Sequence, residues 1–275
     1  MSLLPTGRRG FWGVLIALWP ALGWATHDPC AVVWSDEFDG PDLAPHWQVV
    51  LGDGCDQALC GWGNNEQQTY AQSQIQLKDG LLGLTAALLN DRIVSGKIES
   101  AGAFSTRFGR IEARMKMPQG RGLWSAFWML PEGATERWPL EGEIDIAEWT
   151  GNDPNRIIGA AHFGALWPNN VHYSETWLSP RAWHDDFHVF GIDWQPNDIR
   201  WFVDGREHGR MTPELIVPYR WVFNDLPFYL ILNLAVGGTL GGEVVREDFP
   251  ATLWVDWVRV FDAACFSEGA QSGNL

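Results

Sequence analysis

The dominant pattern along the chain is an alternation of polar and apolar residues within short segments. Residues 110–117 switch at every position, and four further segments are similarly strand-like: 187–194, 199–203, 229–236 and 254–261. A period of two is typical of β-strands that pack one face against a core. Pro196-Asn197-Asp198 and Asp204-Gly205 supply turn residues between such segments. No amphipathic pattern extends beyond about three helical turns.

This pattern predicts an all-β protein. Many short strands separated by glycine-rich turns favour a β-sandwich or jelly roll, in which one concave sheet can hold an extended polymer. The 275 residues suffice for one large domain or two small ones. Because no linker, repeat or low-complexity tract interrupts residues 32–261, we expect a single domain over residues 26–275.

Residues 1–25 have the organisation of a secretory signal peptide. Arg8 and Arg9 precede an apolar run over residues 11–22, and Gly23-Trp24-Ala25 places small residues near a cleavage site. The run is short for a membrane span, and Pro20 interrupts it. We therefore expect a secreted or periplasmic protein with no membrane association after cleavage. A retained N-terminal anchor is the alternative.

The chain is strongly acidic, with a formal net charge of −15. Loss of Arg8 and Arg9 with the signal peptide leaves 17 basic against 34 acidic residues, a charge of −17. Such a surface repels nucleic acids and sulfated polysaccharides. The charge therefore favours a neutral or cationic substrate.

Four cysteines in an exported chain predict two disulfides, for which three pairings exist. We favour Cys55 with Cys60, which closes a short loop, and Cys30 with Cys265, which flank the first and last strand-like segments. Free buried thiols are the alternative.

The most informative stretch for chemistry is residues 142–149, which carry three acids within strand-forming sequence. In an extended strand Glu143 and Asp145 share one face, whereas Ile144 and Ile146 face the core. Glu148 lies at an odd offset from Glu143, so it shares their face only if one extra residue bulges out, and Ala147 is a candidate. An ordinary half-exposed strand with a solvated acidic face is the alternative. Repulsion between neighbouring like charges counts against that alternative.

The chain also contains 18 tryptophans, more than a core of this size requires. Sugar rings stack on aromatic planes, so excess tryptophan in an exported β-protein favours carbohydrate binding. Core packing is the alternative for each of them. Five tryptophans lie in glycine-rich segments or beside the acidic motif: Trp62, Trp124, Trp128, Trp138 and Trp149.

Together these features resemble glycoside hydrolase family 16, in particular its laminarinase-like β-1,3-glucanases. The resemblance covers nearly the whole mature chain. It rests on these stretches: 34–38, 61–66, 109–114, 122–131, 138–148, 161–164 and 233–238. It implies a concanavalin A-like jelly roll of two curved antiparallel sheets with a concave substrate cleft. The longer spacing Glu-x-Asp-x-x-Glu is similar to the laminarinase and agarase branches.

The resemblance also implies roles for the three acids. Glu143 is expected to be the nucleophile that forms a covalent glycosyl-enzyme, and Glu148 the general acid and base. Asp145 is expected to orient Glu143, and its charge is expected to keep Glu148 protonated. No cofactor is expected for catalysis.

Further positions are implied by the same resemblance. His162 is expected to hydrogen bond around the acids, with a structural histidine as the alternative. Zinc is not expected, since the histidine spacing lacks a ligand motif. The expected substrate-binding residues are Trp124, Trp128, Trp138, His162, Asn64, Asn65, Glu66 and Arg110. For the last four, stabilisation of a loop or strand edge is the alternative. A structural calcium ion is expected at Glu37, Asp256 and the carbonyl of Gly80.

The sequence thus predicts a secreted, monomeric, retaining glycoside hydrolase that cleaves internal β-1,3 bonds of neutral β-glucans such as laminarin. One alternative is a non-catalytic β-glucan-recognition protein, although the presence of all three acids favours an enzyme. The others keep the chemistry and change the substrate to agarose or mixed-linkage glucan, or change the acceptor, as in a transglycosylase.

Overall fold

A computed structural model describes residues 31–266. The expected signal peptide therefore lies outside the described residues. The regular secondary structure of the described residues is almost entirely β, as the alternation predicts. Its strands are Val32–Asp36 (β1), Gln48–Val49 (β2), Thr69–Tyr70 (β3), Ile75–Lys78 (β4), Leu81–Leu89 (β5), Arg92–Ser95 (β6), Lys97–Glu99 (β7), Ser105–Thr106 (β8), Gly109–Lys116 (β9), Leu123–Pro131 (β10), Glu143–Thr150 (β11), Arg156–Phe163 (β12), Val171–Leu178 (β13), His188–Gln195 (β14), Asp198–Val203 (β15), Arg206–Met211 (β16), Phe228–Val236 (β17) and Ala251–Phe261 (β18).

Helical structure within residues 31–266 is short. One α-helical turn, α1, spans Gly238–Gly241. The 3-10 turns are Cys55–Gln57, Cys60–Gly63, Gln72–Gln74, Pro213–Ile216, Arg246–Asp248 and Ala263–Phe266. None of the described helices is long and apolar enough to cross a membrane.

Two sheets form the fold. Over the described residues, the front sheet has eight strands in the order β13-β12-β11-β10-β17-β7-β2, with β8 paired to β17. The back sheet has ten strands in the order β16-β15-β14-β9-β18-β5-β6-β3, with β1 paired to β18 and β4 to β5. Neighbouring strands are antiparallel except for β3 and β6. The sandwich architecture predicted from the sequence is therefore confirmed.

The core lies between the two sheets and follows the alternation residue by residue. On β10, Phe127 and Met129 point inward from the front sheet, and on β9 Ile111 and Met115 point inward from the back sheet. All four side chains are buried. The opposite parity on β10 places Trp124 and Trp128 on the outer surface of the front sheet, which we call the front face. The front face is where the acids of β11 emerge.

Candidate active site

A β-bulge in β11 brings the three acids to the front face. Against β12, Asp145 pairs with Ala160 and Glu148 with Ile158, so three steps along β11 match two on its partner. The extra residue lets Ile146 and Ala147 both face the core, where they are buried. Glu148 therefore regains the parity of Glu143 and Asp145. The bulge predicted from the odd spacing is present, and Ala147 belongs to it.

Each glutamate receives a hydrogen bond from a tryptophan. Trp138 Nε1 donates to Glu143 Oε2 at 2.5 Å, and Trp124 Nε1 donates to Glu148 Oε1 at 3.1 Å. Trp124 reaches Glu148 because its neighbour Ala126 is the direct cross-strand partner of Glu148. Trp138 lies in the loop before β11 and is 41% exposed. Both N–H groups favour the charged form of the carboxyl they contact.

Asp145 lies between the glutamates and is almost fully buried, with 4% of its surface exposed. His162, the cross-strand partner of Glu143, approaches it with Nε2 at 3.3 Å from Oδ2. From the back sheet, Trp201 Nε1 donates to the Asp145 carbonyl at 2.8 Å. Gly159 makes this contact possible, since a Cβ at that position would stand 2.2 Å from Trp201 Cδ1.

Burial raises the pKa of all three acids, and repulsion by Asp145 adds to the shift at the two glutamates. Burial, followed by the charge of Asp145, raises the pKa of both Glu143 and Glu148 from 4.5 to about 8. Burial raises the pKa of Asp145 from 3.8 to about 7. His162 opposes the shifts at the two glutamates. Because three carboxylates in one buried cluster repel each other, the site retains protons at neutral pH.

A second polar group lies beside the acids, around Glu66. Its Oε1 accepts a hydrogen bond from Asn64 at 3.2 Å, and its Oε2 accepts bonds from Gln68 at 2.6 Å and the Tyr70 hydroxyl at 3.3 Å. Burial raises the pKa of Glu66. Asn65 is exposed at a left-handed turn position with φ of 58°.

This group is joined to the tryptophans of β10 through Asn233. Asn233 Nδ2 donates to the Tyr70 hydroxyl at 3.1 Å, and its Oδ1 accepts a bond from Trp128 Nε1 at 2.7 Å. Its cross-strand neighbours are Ala126 on β10 and Lys97 on β7. Three of the predicted sugar-binding residues, Trp128, Asn64 and Glu66, therefore lie in or beside one connected network.

Asn233, Lys97 and Tyr70 were not among the predicted site residues. A signal exists for Asn233: it is the one polar residue at the outward parity of a strand that is otherwise apolar from Leu230 to Val236. Lys97 is a charged residue with only 7% of its surface exposed. The partners that keep these groups buried come from distant parts of the chain, so their grouping is a finding of the structure.

Arg110 is not in this site, contrary to the expectation for a cleft residue. It lies on β9 in the back sheet and faces away from the core. Its Nε donates to Glu112 Oε1 at 2.6 Å, and its guanidinium lies 4.6 Å from the centroid of the Phe202 ring. Trp149 is also outside this site: it is 1% exposed, lies in the core and does not reach the front face. Alternation gives the period of a strand but does not say which sheet the strand joins.

The disulfide between Cys55 and Cys60 is present as predicted. Cys265 is also disulfide-bonded. Cys30, its predicted partner, lies outside the described residues.

Two of the three residues expected to bind calcium, Glu37 and Asp256, are paired with arginines. Both carboxylate oxygens of Glu37 accept bonds from Arg259, at 2.9 and 2.7 Å. Asp256 Oδ2 accepts a bond from Arg114 at 2.6 Å. The calcium site at Glu37, Asp256 and the carbonyl of Gly80 stays a prediction, in which the ion would compete with these arginines for the two carboxylates. Within residues 31–266 the three side-chain donors that do converge belong to the acid cluster, Glu143, Asp145 and His162, whose ligand atoms lie within 4.8 Å of one another.

Comparisons with known proteins agree with this geometry. The family model for glycosyl hydrolases family 16 matches residues 62–258. A β-glucanase from Rhodothermus marinus is 36% identical over 84% of this chain and 90% of its own length. A glucan endo-1,3-β-glucosidase A1 from Niallia circulans is also 36% identical over 84% of this chain, which spans only 37% of that longer protein.

The fold comparison points the same way. The crystal structure of the laminarinase catalytic domain from Thermotoga maritima superposes with a TM-score of 0.79 at 32% identity, covering 86% of this chain and 99% of the other. The bulged strand with its three acids lies within the matched region. The family match and the shared fold establish that this chain belongs to family 16 of the glycosyl hydrolases.

Proposed function

We propose that this protein is a retaining endo-glycosidase that cleaves internal β-1,3 bonds of neutral β-glucans such as laminarin. The observation that carries the proposal is the bulge, which puts Glu143, Asp145 and Glu148 together on the front face with an indole N–H at each glutamate. Relatives named as glucan endo-1,3-β-glucosidases and laminarinases support the choice of linkage.

In the proposed reaction Glu143 attacks the anomeric carbon while Glu148 donates its proton to the departing glycosidic oxygen. A covalent ester between Glu143 and the sugar results. Glu148, now ionised, then takes a proton from water, and the resulting nucleophile releases the sugar with retained configuration. The raised pKa of Glu148 supports its role as an acid at neutral pH.

The same reaction requires Glu143 to be ionised, although burial raises its pKa too. The bond from Trp138 and the nearby His162 both favour the carboxylate form. We propose that Glu143 is the group that carries the negative charge.

The surroundings of the acids support a neutral polymer as substrate. Trp124 and Trp138 flank the acids and are partly exposed, so their rings are available for stacking on sugar faces. The formal charge of −15 disfavours sulfated polymers. We propose that the protein is exported as a monomer, which agrees with the Cys55–Cys60 disulfide.

Substitution of the proposed nucleophile tests the mechanism. We expect Glu143→Gln to lower kcat on laminarin at least about 10³-fold, because an amide cannot form the glycosyl ester. Glu136→Gln, at an exposed acid in the neighbouring loop, is the matched control and should retain wild-type turnover. A fluorinated glycoside that trapped a residue other than Glu143 would overturn the assignment.

Substrate choice requires a separate experiment. Wild-type protein incubated with laminarin, lichenan, agarose and xyloglucan should release short oligosaccharides from laminarin fastest. Products larger than the supplied substrate would identify a transglycosylase. Binding of laminarin without release of reducing ends would identify a recognition protein.

A further inference from the structure

The segment of residues 54–66, which we call the wall loop, is closed by the Cys55–Cys60 disulfide immediately before it reaches the front face. Three non-glycine residues in it have left-handed backbone conformations: Ala58 with φ of 56°, Trp62 with φ of 52° and Asn65 with φ of 58°. Such residues are uncommon and persist only where surrounding contacts hold them. The wall loop therefore depends on its anchors for its shape.

The first anchor is the packing of Trp62. Its ring lies next to Gly54, where a Cβ would be 3.3 Å from Trp62 Cδ2 and 2.2 Å from the Leu59 carbonyl oxygen. Its other neighbours are Tyr70, with ring centroids 5.5 Å apart, and Lys97, whose Nζ is 4.3 Å from the ring centroid. Trp62 thus lies between the disulfide-closed turn and the floor of the front face.

Lys97 links this packing to Glu66. Its ammonium also lies 5.1 Å from the centroid of Trp128, so aromatic rings surround a cation that is almost fully buried. The charge of Glu66 favours the protonated form of Lys97, whereas burial lowers its pKa. A buried cation of this kind needs both its rings and its acidic partner, so displacement of Trp62 would also disturb Glu66.

The second anchor joins the wall loop to the general acid. Thr239 N donates to the Asn64 carbonyl at 2.9 Å, and Glu66 forms a backbone bridge with Gly237. A Cβ at Gly238 would be 3.0 Å from the Asn64 oxygen and 3.4 Å from the ring of Trp124. Trp124 in turn donates to Glu148. The wall loop and Trp124 are therefore both in close contact with α1.

We propose that the Cys55–Cys60 disulfide is a positioning element of the active site, which holds Trp62 on Lys97 and thereby fixes Asn64 and Glu66 in the wall of the sugar cleft. The proposal rests on the function proposed above. Its consequence is that cleavage of this one disulfide weakens substrate binding and leaves the acids on β11 in place. A dithiol performs the cleavage by two exchange steps, leaving two protein thiols and a cyclic disulfide on the reductant.

The test compares wild-type protein with the Cys55→Ser/Cys60→Ser variant, each with and without dithiothreitol. We expect the variant to raise KM for laminarin about fivefold while kcat stays within about twofold, as for the loss of one or two hydrogen bonds to a bound sugar. Dithiothreitol should raise the KM of the wild type to the same value and leave the variant unchanged. Because the variant lacks the Cys55–Cys60 disulfide, any response of its KM to dithiothreitol would come from reduction of the disulfide at Cys265.

Hydrogen exchange supplies a readout that does not depend on activity. The Glu66 amide donates to the Gly61 carbonyl at 3.0 Å, and the Thr239 amide donates to the Asn64 carbonyl at 2.9 Å. Both amides should exchange faster in the variant and in the reduced wild type. Trp62→Leu should reproduce the rise in KM. Trp62→Phe, which keeps a ring over Lys97, should have a KM close to that of the wild type. These two variants also test the proposal if the serine variant does not fold.

The outcomes separate the two proposals. Unchanged KM and unchanged exchange after reduction would overturn the positioning role, as would a serine variant whose KM still responds to dithiothreitol. A wild type that does not cleave laminarin, but whose Glu66 and Thr239 amides exchange faster on reduction, would overturn the proposed function and support the positioning role.

Discussion

Glu143, Asp145 and Glu148 lie close enough together that the charge on one affects the protonation of the others. Burial, followed by the charge of Asp145, raises the pKa of both glutamates, and the hydrogen bond from Trp124 lowers that of Glu148. At the scale of single residues, two neighbours therefore shift the pKa of Glu148, the proposed general acid, in opposite directions.

This control predicts two opposite shifts in the pH dependence of activity. The alkaline limb of kcat/KM for wild-type protein should lie near pH 8, where Glu148 loses its proton. Asp145→Asn removes a negative charge, so the pKa of Glu148 should fall and the limb should move to lower pH by about one unit. Trp124→Phe removes a hydrogen bond to the carboxylate, so the limb should move to higher pH. Shifts of equal sign in the two variants would contradict this account.

Residue-scale predictions from the sequence succeeded where a local rule applies. The odd offset of Glu148 predicted the bulge because the period of a strand is fixed by its backbone. Arg110, expected in the cleft from the family resemblance, lies instead on β9 in the back sheet, and local parity does not specify which sheet a strand joins. The Tyr70–Asn233 bond joins residues 163 positions apart in the sequence, and no local pattern reports such a pair.

At the scale of elements, β11 pairs with β12 in one register before the bulge and in another after it. Before the bulge Glu143 pairs with His162, and after it Glu148 pairs with Ile158. Each half keeps its own alternation, so the apolar face stays continuous across the change. The bulge accommodates one residue without changing which side chains face the core.

Two single-residue deletions in β11 should therefore differ sharply. Deletion of Ala147 restores a regular strand in which all three acids keep the front face, so hydrolysis of laminarin should remain measurable. Deletion of Ile144 turns Glu143 toward the core, which should abolish activity and lower the free energy of unfolding by about 2–7 kcal/mol through burial of an unpaired acid. Initial rates and urea unfolding of both variants check this. Equal loss of activity in the two would contradict it.

The strands themselves were largely predictable. Alternation predicted the segments 110–117, 229–236 and 254–261, which correspond to β9, β17 and β18 within a few residues at each end. The order of strands in each sheet was not predictable, because it depends on contacts between residues far apart in sequence. The network around Glu66 and Lys97 depends on that order.

At the scale of the whole molecule, the pKa values of buried ionisable groups in different regions are shifted in opposite directions. The acids on the front face have raised pKa values. On β16, His208 packs against Trp177 with neither ring nitrogen hydrogen bonded, and burial lowers its pKa from 6.5 to about 4. The folded state therefore favours the uncharged form of both kinds of group.

The signs of these shifts predict opposite effects on stability. Between about pH 4.5 and 8 the unfolded chain loses a proton that folded Glu148 keeps, so stability falls as pH rises. Between about pH 6.5 and 4 the unfolded chain gains a proton that folded His208 does not bind, so stability falls as pH falls.

Amide variants separate the two effects. Relative to wild type, Glu148→Gln should gain stability with rising pH across the first range, and His208→Asn should gain with falling pH across the second. Each gain should be at most about 1.4 kcal/mol per pH unit. Urea unfolding of the three proteins at pH 4, 6 and 8 is the measurement. A pH-independent difference from wild type would contradict the shift at that residue.

The pairing of β1 with β18 has a practical consequence for attachment. Ala31 and Asp262 are joined by a backbone hydrogen bond, so both ends of the described chain leave the back sheet at nearly one point. The acids lie on the opposite sheet. A purification tag, a surface tether or a fused module joined directly at Ala31 or Asp262 therefore starts from the sheet opposite the acids, and two such attachments would begin side by side.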